Sequence, residues 1–147
     1  MSNVQASLVP TEFVNNVWED IIPYVEKAAE YSYGRYLVED ILDCLIQYNH
    51  HLWIVFDETK IHAMVVTAFK DYPRKRFLDL VFVGGETGSL AWKEPILTLL
   101  QHWAFDNDCD GIESSGRLGW GKAFKKDGYK PLWQTYELPV ADCGLGE

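Results

Sequence analysis

The sequence predicts one α+β domain, a mixed and mostly antiparallel sheet carrying about four helices. Three observations predict it. Apolar runs of helical spacing alternate with runs of β-formers along the whole chain. Three strand-like runs follow one another between residues 51 and 83, separated only by the short polar stretches Asp57–Lys60 and Tyr72–Lys75, which reads as an antiparallel meander. The run ending at Val83, the apolar helix after it and the run opening at Gly111 form a βαβ unit, whose two strands must be parallel.

Taken in order, Ala6 to Val9 reads as a first strand ending at Pro10. Thr11 is placed to cap a helix in which Val14, Trp18, Ile21, Val25 and Ala29 recur on one face. Pro23 lies inside that pattern and should kink or split it, since it lacks the N–H and its ring crowds the preceding turn. After the break at Tyr33-Gly34-Arg35, Leu37 to Tyr48 forms a second amphipathic helix. The strands are His51 to Phe56, Ile61 to Tyr72 and Arg76 to Val83, followed by a loop, Gly84 to Ser89. Pro95 is tolerated only in a first turn, so the next helix should start near Glu94 and run to Asn107. Gly111 to Ser115 is a strand, Leu118 to Lys126 a short helix, and Tyr129 to Leu138 a last strand. Residues 1–140 thus make one domain and 141–147 a flexible tail.

Composition narrows the function. Apolar residues are 48% of 147, enough for a substantial core, and no apolar run reaches the ~20 residues that span a bilayer. Residues 1–58 hold ten acids against Lys27 and Arg35, while the rest is nearly balanced. That acidity argues against nucleic acid and anionic membrane as partners. Cys44, Cys109 and Cys143 are scattered, His50-His51 are adjacent, and His62 and His102 stand alone; no metal spacing results.

Several constellations carry chemistry. Gly84-Gly85-Glu86-Thr87-Gly88-Ser89 between strand and helix would offer backbone N–H groups to an anion, although Glu86 opposes a phosphate there. Gly116 to Ala123 is one letter short of a phosphate-binding loop; it lacks the hydroxyl that ligates magnesium, and the match is accidental. Lys122, Lys125 and Lys126 form an outward basic face, and Arg74-Lys75-Arg76 stand at a hairpin tip, where charges guard sheet edges. Asp79 lies in mid-strand with Glu113 in the strand facing it across the βαβ unit. Either carboxylate could take a proton from an amine.

Arg117, Trp120, Phe124 and Gly128-Tyr129 follow the strand at Gly111 at the spacing where GNAT acetyltransferases carry Asn, Ala, Tyr and Gly-Phe. From about Ala6 to Leu138 the chain resembles that family. It is most similar to small GNAT-like proteins of tailed phages and prophages, which share the phrases Asp71-Tyr72-Pro73-Arg74-Lys75-Arg76, Gly84-Gly85-Glu86 and Cys109-Asp110-Gly111-Ile112-Glu113. The resemblance implies a parallel strand pair splayed around an acyl-CoA thioester. It implies a cofactor site at Gly84, Gly85, Thr87, Gly88, Ser89 and Arg117. The position of the family's general acid falls on Phe124, which has no hydroxyl, and Trp120 falls where a small side chain lines the pantetheine. These departures, with the phage likeness, imply a binding or virion-assembly module in the infected cell's cytoplasm or the virion, its partners proteins of virion or host. The alternatives are a working N-acyltransferase taking acetyl-CoA, with Asp79 or Glu113 as base, and an acidic host-directed inhibitor.

Overall fold

The computed structural model describes residues 3–86, 91–115, 128–133 and 135–140. The chain divides into two compact units, Met1–Ser115 and Gly116–Glu147. All regular elements among the described residues lie in the first, in the order β1 (Gln5–Val9), α1 (Val14–Glu30), α2 (Val38–Gln47), β2 (His51–Phe56), β3 (Ile61–Asp71), β4 (Arg76–Gly85), α3 (Lys93–Asp106) and β5 (Gly111–Ser114).

The strands form one sheet in sequence order, antiparallel from β1 to β4 and parallel between β4 and β5. That is the expected mixed sheet. One face carries α1 and α2, whose Val14, Ile21, Val25, Ala28, Ile41 and Leu45 pack with Leu52, Met64, Val66 and Phe82 of the strands. The other face buries Trp53, Val55, Ala63, Val65, Leu78 and Leu80 beside Ile96, Leu100 and Ala104 of α3. The strict alternation along β2 and β3 follows from side chains pointing to opposite faces at successive positions.

Several details differ from expectation. α1 runs unbroken through Pro23. Pro23 and Glu19 both sit on the exposed side, so the carbonyl that loses its partner reaches water, while Val14 and Ile21 before the proline and Val25 after it hold both halves on the sheet. Thr11 does not cap α1; it opens a short 3₁₀ turn, Thr11–Phe13, from which α1 continues without a side-chain cap. At α2 the Asp40 carboxylate accepts from the Leu37 N–H at 2.8 Å, half of a capping box, since leucine has no acceptor to return. α3 opens at Lys93, which puts Pro95 in its first turn as expected. Residues 128–133 and 135–138 form no strand, against the strand expected at Tyr129–Leu138. The expected helix at 118–126 and the tail at 141–147 lie outside the described residues.

Strand β4 positions the site. Gly84 and Gly85 belong to the strand, paired with Met64 and Ala63, so the loop expected from Gly84 begins at Glu86. Both glycines are needed for close approach. A Cβ on Gly84 would lie 2.1 Å from the Tyr24 carbonyl oxygen of α1, and one on Gly85 would lie 2.5 Å from the Trp92 ring. Midway along β4 the register jumps, Val66 opposing Phe82 while Thr67 opposes Leu80. Val81 is therefore the extra residue of a β-bulge.

Candidate functional site

β5 pairs with β4 from Phe77↔Gly111 to Leu80↔Ser114, whereas β4 continues to Gly85. Past Leu80, among the described residues, β4 has no β5 partner over five residues, about 16 Å of strand. The bulge falls at the same place. Asp79 and Glu113 are register partners two residues before Val81, and register partners project on the same face. Ala68 of β3 opposes Asp79, and Lys70 and Tyr72 follow on that face at period two. It is the face that α1 and α2 cover further along the sheet.

Glu113 Oε1 accepts from the Tyr72 hydroxyl at 2.7 Å and lies 3.6 Å from Lys70 Nζ. Lys70 also sits over the Tyr72 ring, 5.6 Å from its centre. The hydrogen bond to Glu113 raises the Tyr72 hydroxyl above its ordinary value. Asp79 is half-buried and makes no hydrogen bond or ion pair among the described residues. Burial pushes its carboxyl above the usual range, Lys70 and His50 pull it down, and Glu113 adds to the push. The result is two adjacent carboxylates in unlike settings, one bonded to donors and one not. Such division is how neighbouring acids acquire different roles.

Above this face Tyr36 stands edge-on to Phe82 at 4.8 Å, which brings the α1–α2 connection to the strand just past the bulge. That connection is a built turn. Ser32 Oγ donates to Ala29 O at 2.7 Å and accepts from Tyr36 N–H at 3.0 Å, and Tyr33 and Gly34 adopt φ of 57° and 80°.

Of the residues singled out from sequence, Asp79 and Glu113 are brought together, and Gly84 and Gly85 lie at the far end of the same strand. Thr87, Gly88, Ser89, Arg117, Trp120 and Phe124 lie outside the described residues. Tyr72 was read as the end of a strand and the start of its turn, with no role assigned, although its period-two spacing from Lys70 was a usable signal. His62 does not stand alone; both ring nitrogens face carboxylates. His51 lies against Phe69 and Trp103, with Nδ1 2.9 Å from the buried Thr67 hydroxyl; burial lowers it to about 4, so it is neutral at pH 7. Arg76, expected to be a solvated hairpin charge, lies over the Phe69 ring at 4.1 Å and pairs with Asp71.

No family model matches the chain. No curated protein matches it. Solved structures do. A ribosomal-protein-alanine N-acetyltransferase from Brucella melitensis biovar Abortus superposes with a TM-score of 0.68 at 12% identity, covering 92% of this chain and 98% of the other. A predicted acetyltransferase from Clostridium acetobutylicum, solved with acetyl-CoA, gives 0.65 at 16% identity over 97% and 98%. An aminoglycoside acetyltransferase from an uncultured soil metagenomic sample, solved with sisomicin, gives 0.67 at 10% identity over 92% and 96%. The fold is that of the GNAT acetyltransferases. At these identities the likeness carries the fold alone.

Proposed function

We propose that the chain is an acyltransferase that moves an acyl group from a coenzyme A thioester to an amine, with Asp79 as general base. One observation carries the reading: Asp79 and Glu113 lie side by side on parallel strands at the point where β4 bulges and β5 ends. The amine nitrogen attacks the thioester carbonyl carbon, the carbon–sulfur bond breaks with its electron pair leaving on sulfur, and the N–H proton passes to the Asp79 carboxylate. Solvent protonates the departing thiolate, since Phe124 cannot. Asp79 suits the base because burial raises its proton affinity and, among the described residues, no donor occupies its oxygens. Glu113, committed to Tyr72 and Lys70, would hold the charge that draws an ammonium in. Beyond Leu80 the edge of β4, which β5 does not pair among the described residues, would supply backbone donors to the thioester arm, and Gly88 and Ser89 would meet the diphosphate.

Thermal melting with acetyl-CoA tests this first. A ligand at a hundred times its Kd stabilises by about 2.7 kcal/mol, and Gly88→Trp should abolish the shift. Thiol release with a panel of amines then tests the chemistry. Turnover that survives Asp79→Asn would refute the assigned base.

A second reading, the binding or assembly module suggested by the phage likeness, is favoured by a separate observation. Tyr31, Tyr33 and Leu37 are 50%, 74% and 62% exposed on the built turn between α1 and α2, a concentration of exposed apolar surface typical of a docking site. No melting shift at millimolar acetyl-CoA would favour this reading.

A further inference from the structure

At the end of the sheet away from Asp79, the β2–β3 turn meets the end of β4 through a second set of ionisable groups. Asp57 Oδ1 accepts from the Thr59 N–H at 2.8 Å, the Thr59 hydroxyl at 2.7 Å and the Lys60 N–H at 3.0 Å. Its other oxygen lies 2.6 Å from His62 Nε2. His62 Nδ1 lies 2.9 Å from Glu86 Oε2, and Glu86 Oε1 pairs with Lys60 Nζ. The Glu86 N–H also donates to the His62 carbonyl at 3.0 Å. From α1, Tyr24 donates its hydroxyl to Ile61 O at 2.8 Å and Lys27 donates to Gly85 O at 3.0 Å. Among the described residues, the charged and titratable groups around His62 are thus Asp57 and Lys60 of the turn, Glu86, and Tyr24 and Lys27 of α1.

A neutral imidazole has one N–H and one lone pair. Carboxylates against both ring nitrogens are satisfied together only by the imidazolium. Consistently, Glu86 and then Asp57 raise the affinity of His62 for its proton, and Lys60 and His62 lower that of Glu86.

We propose that His62 is a proton-operated latch, fastening Glu86 to the β2–β3 turn when charged and releasing Glu86 while keeping Asp57 when neutral. The asymmetry follows from how each carboxylate is anchored. Asp57 is fixed by three turn donors and faces His62 at the shorter distance. The Glu86 side chain has an extra torsion, and its other partner is the exposed Lys60 ammonium. A neutral His62 therefore keeps its proton on Nε2 and turns the Nδ1 lone pair toward Glu86 Oε2, which the carboxylate must leave. The charge at the exit of β4 is then free to reorient. The latch does not rest on acyl transfer, because it shares no residue with the Asp79 set.

A ¹⁵N-detected NMR titration of the imidazole in the full-length protein tests it. His62 should lose its proton with a midpoint above the ordinary histidine value of about 6.5. The neutral form should be the Nε2–H tautomer, and amide exchange at Glu86 should rise past the midpoint beyond the rise of amides in mid-β3. Glu86→Gln should move the midpoint down. Asp57→Asn should also lower it, which covers the case in which Glu86→Gln fails to fold. A midpoint at or below 6.5, an Nδ1–H tautomer, or a midpoint indifferent to both variants would overturn the proposal.

Discussion

The two ends of β4 treat their carboxylates in opposite ways. Toward its start, Asp79 is half-buried with no donor on its oxygens among the described residues, and burial raises its proton affinity. Just beyond its end, Glu86 is met by Lys60 and His62, which lower its proton affinity, and Asp57 is lowered by the Thr59 hydroxyl, His62 and the turn N–H groups. Donor supply, not residue type, sets the difference. A carboxylate saturated with donors fastens structure; one denied donors is ready to take a proton. Between them lies a neutral version of the same problem, Thr67, fully buried and accepting from Trp53 Nε1 at 2.9 Å.

The largest test of this contrast is one substitution made at both ends. Asp79→Asn should lower turnover on an accepted amine by about 10²–10⁴-fold, equivalent to about 3–5 kcal/mol of barrier, whereas Asp57→Asn should leave turnover unchanged; steady-state thiol release decides. The same Asp79 variant should melt higher than the parent at pH 7. The carboxyl is raised in the folded protein, so folding favours its protonated form and is penalised above the folded pKa. The advantage should vanish as pH falls below the unfolded value of about 3.9.

Next in size is Gly84→Ala, which strikes the strand that carries both sites. The new Cβ would sit 2.1 Å from a backbone oxygen, so α1 and β4 must part, and urea denaturation should show a loss of about 3 kcal/mol. Gly85→Ala meets the buried Trp92 side chain rather than backbone, and should lose about 1–2 kcal/mol. Thr67→Val leaves the buried Trp53 N–H without its acceptor and should lose about 2 kcal/mol, with little dependence on pH because His51 is neutral down to about 4.

The smallest effect is the most diagnostic of the latch. His62 is raised while Asp57 and Glu86 are lowered. The histidine's share of stability is complete below its unfolded value of about 6.5 and fades as pH rises through its folded value. The carboxylates' share is complete above about 4.3 and fades as pH falls through theirs. The melting difference between parent and Glu86→Gln should therefore be widest between about pH 4.5 and 6.5 and narrow on either side.

Legibility from sequence followed the range of the interaction. The α1 stripe, the β2–β3–β4 meander and the parallel β4–β5 pair were readable because each depends on local period or on a short connection. The pairing of Asp79 with Glu113 was readable in outline, since a βαβ unit places neighbouring strands in parallel. Tyr72 on Glu113 was not, because two residues 41 apart meet only once the register of two strand pairs is set. For the same reason His62 read as solitary: Asp57 was five residues away, but Glu86 was 24 away.

By itself the chain of residues determined the five strands and three helices from β1 to β5, their order and the sign of each sheet contact, because apolar period and turn chemistry act over a few residues; the strand read at Tyr129–Leu138 is the exception. It also determined that Phe124 carries no hydroxyl. Tertiary structure alone decided which carboxylates receive donors, that Gly84 and Gly85 serve packing within β4, and that β4 bulges at Val81 where β5 stops. Those outcomes depend on register, burial and the approach of separate elements, and solvent access and hydrogen-bond supply exist only after the sheet has closed against its helices.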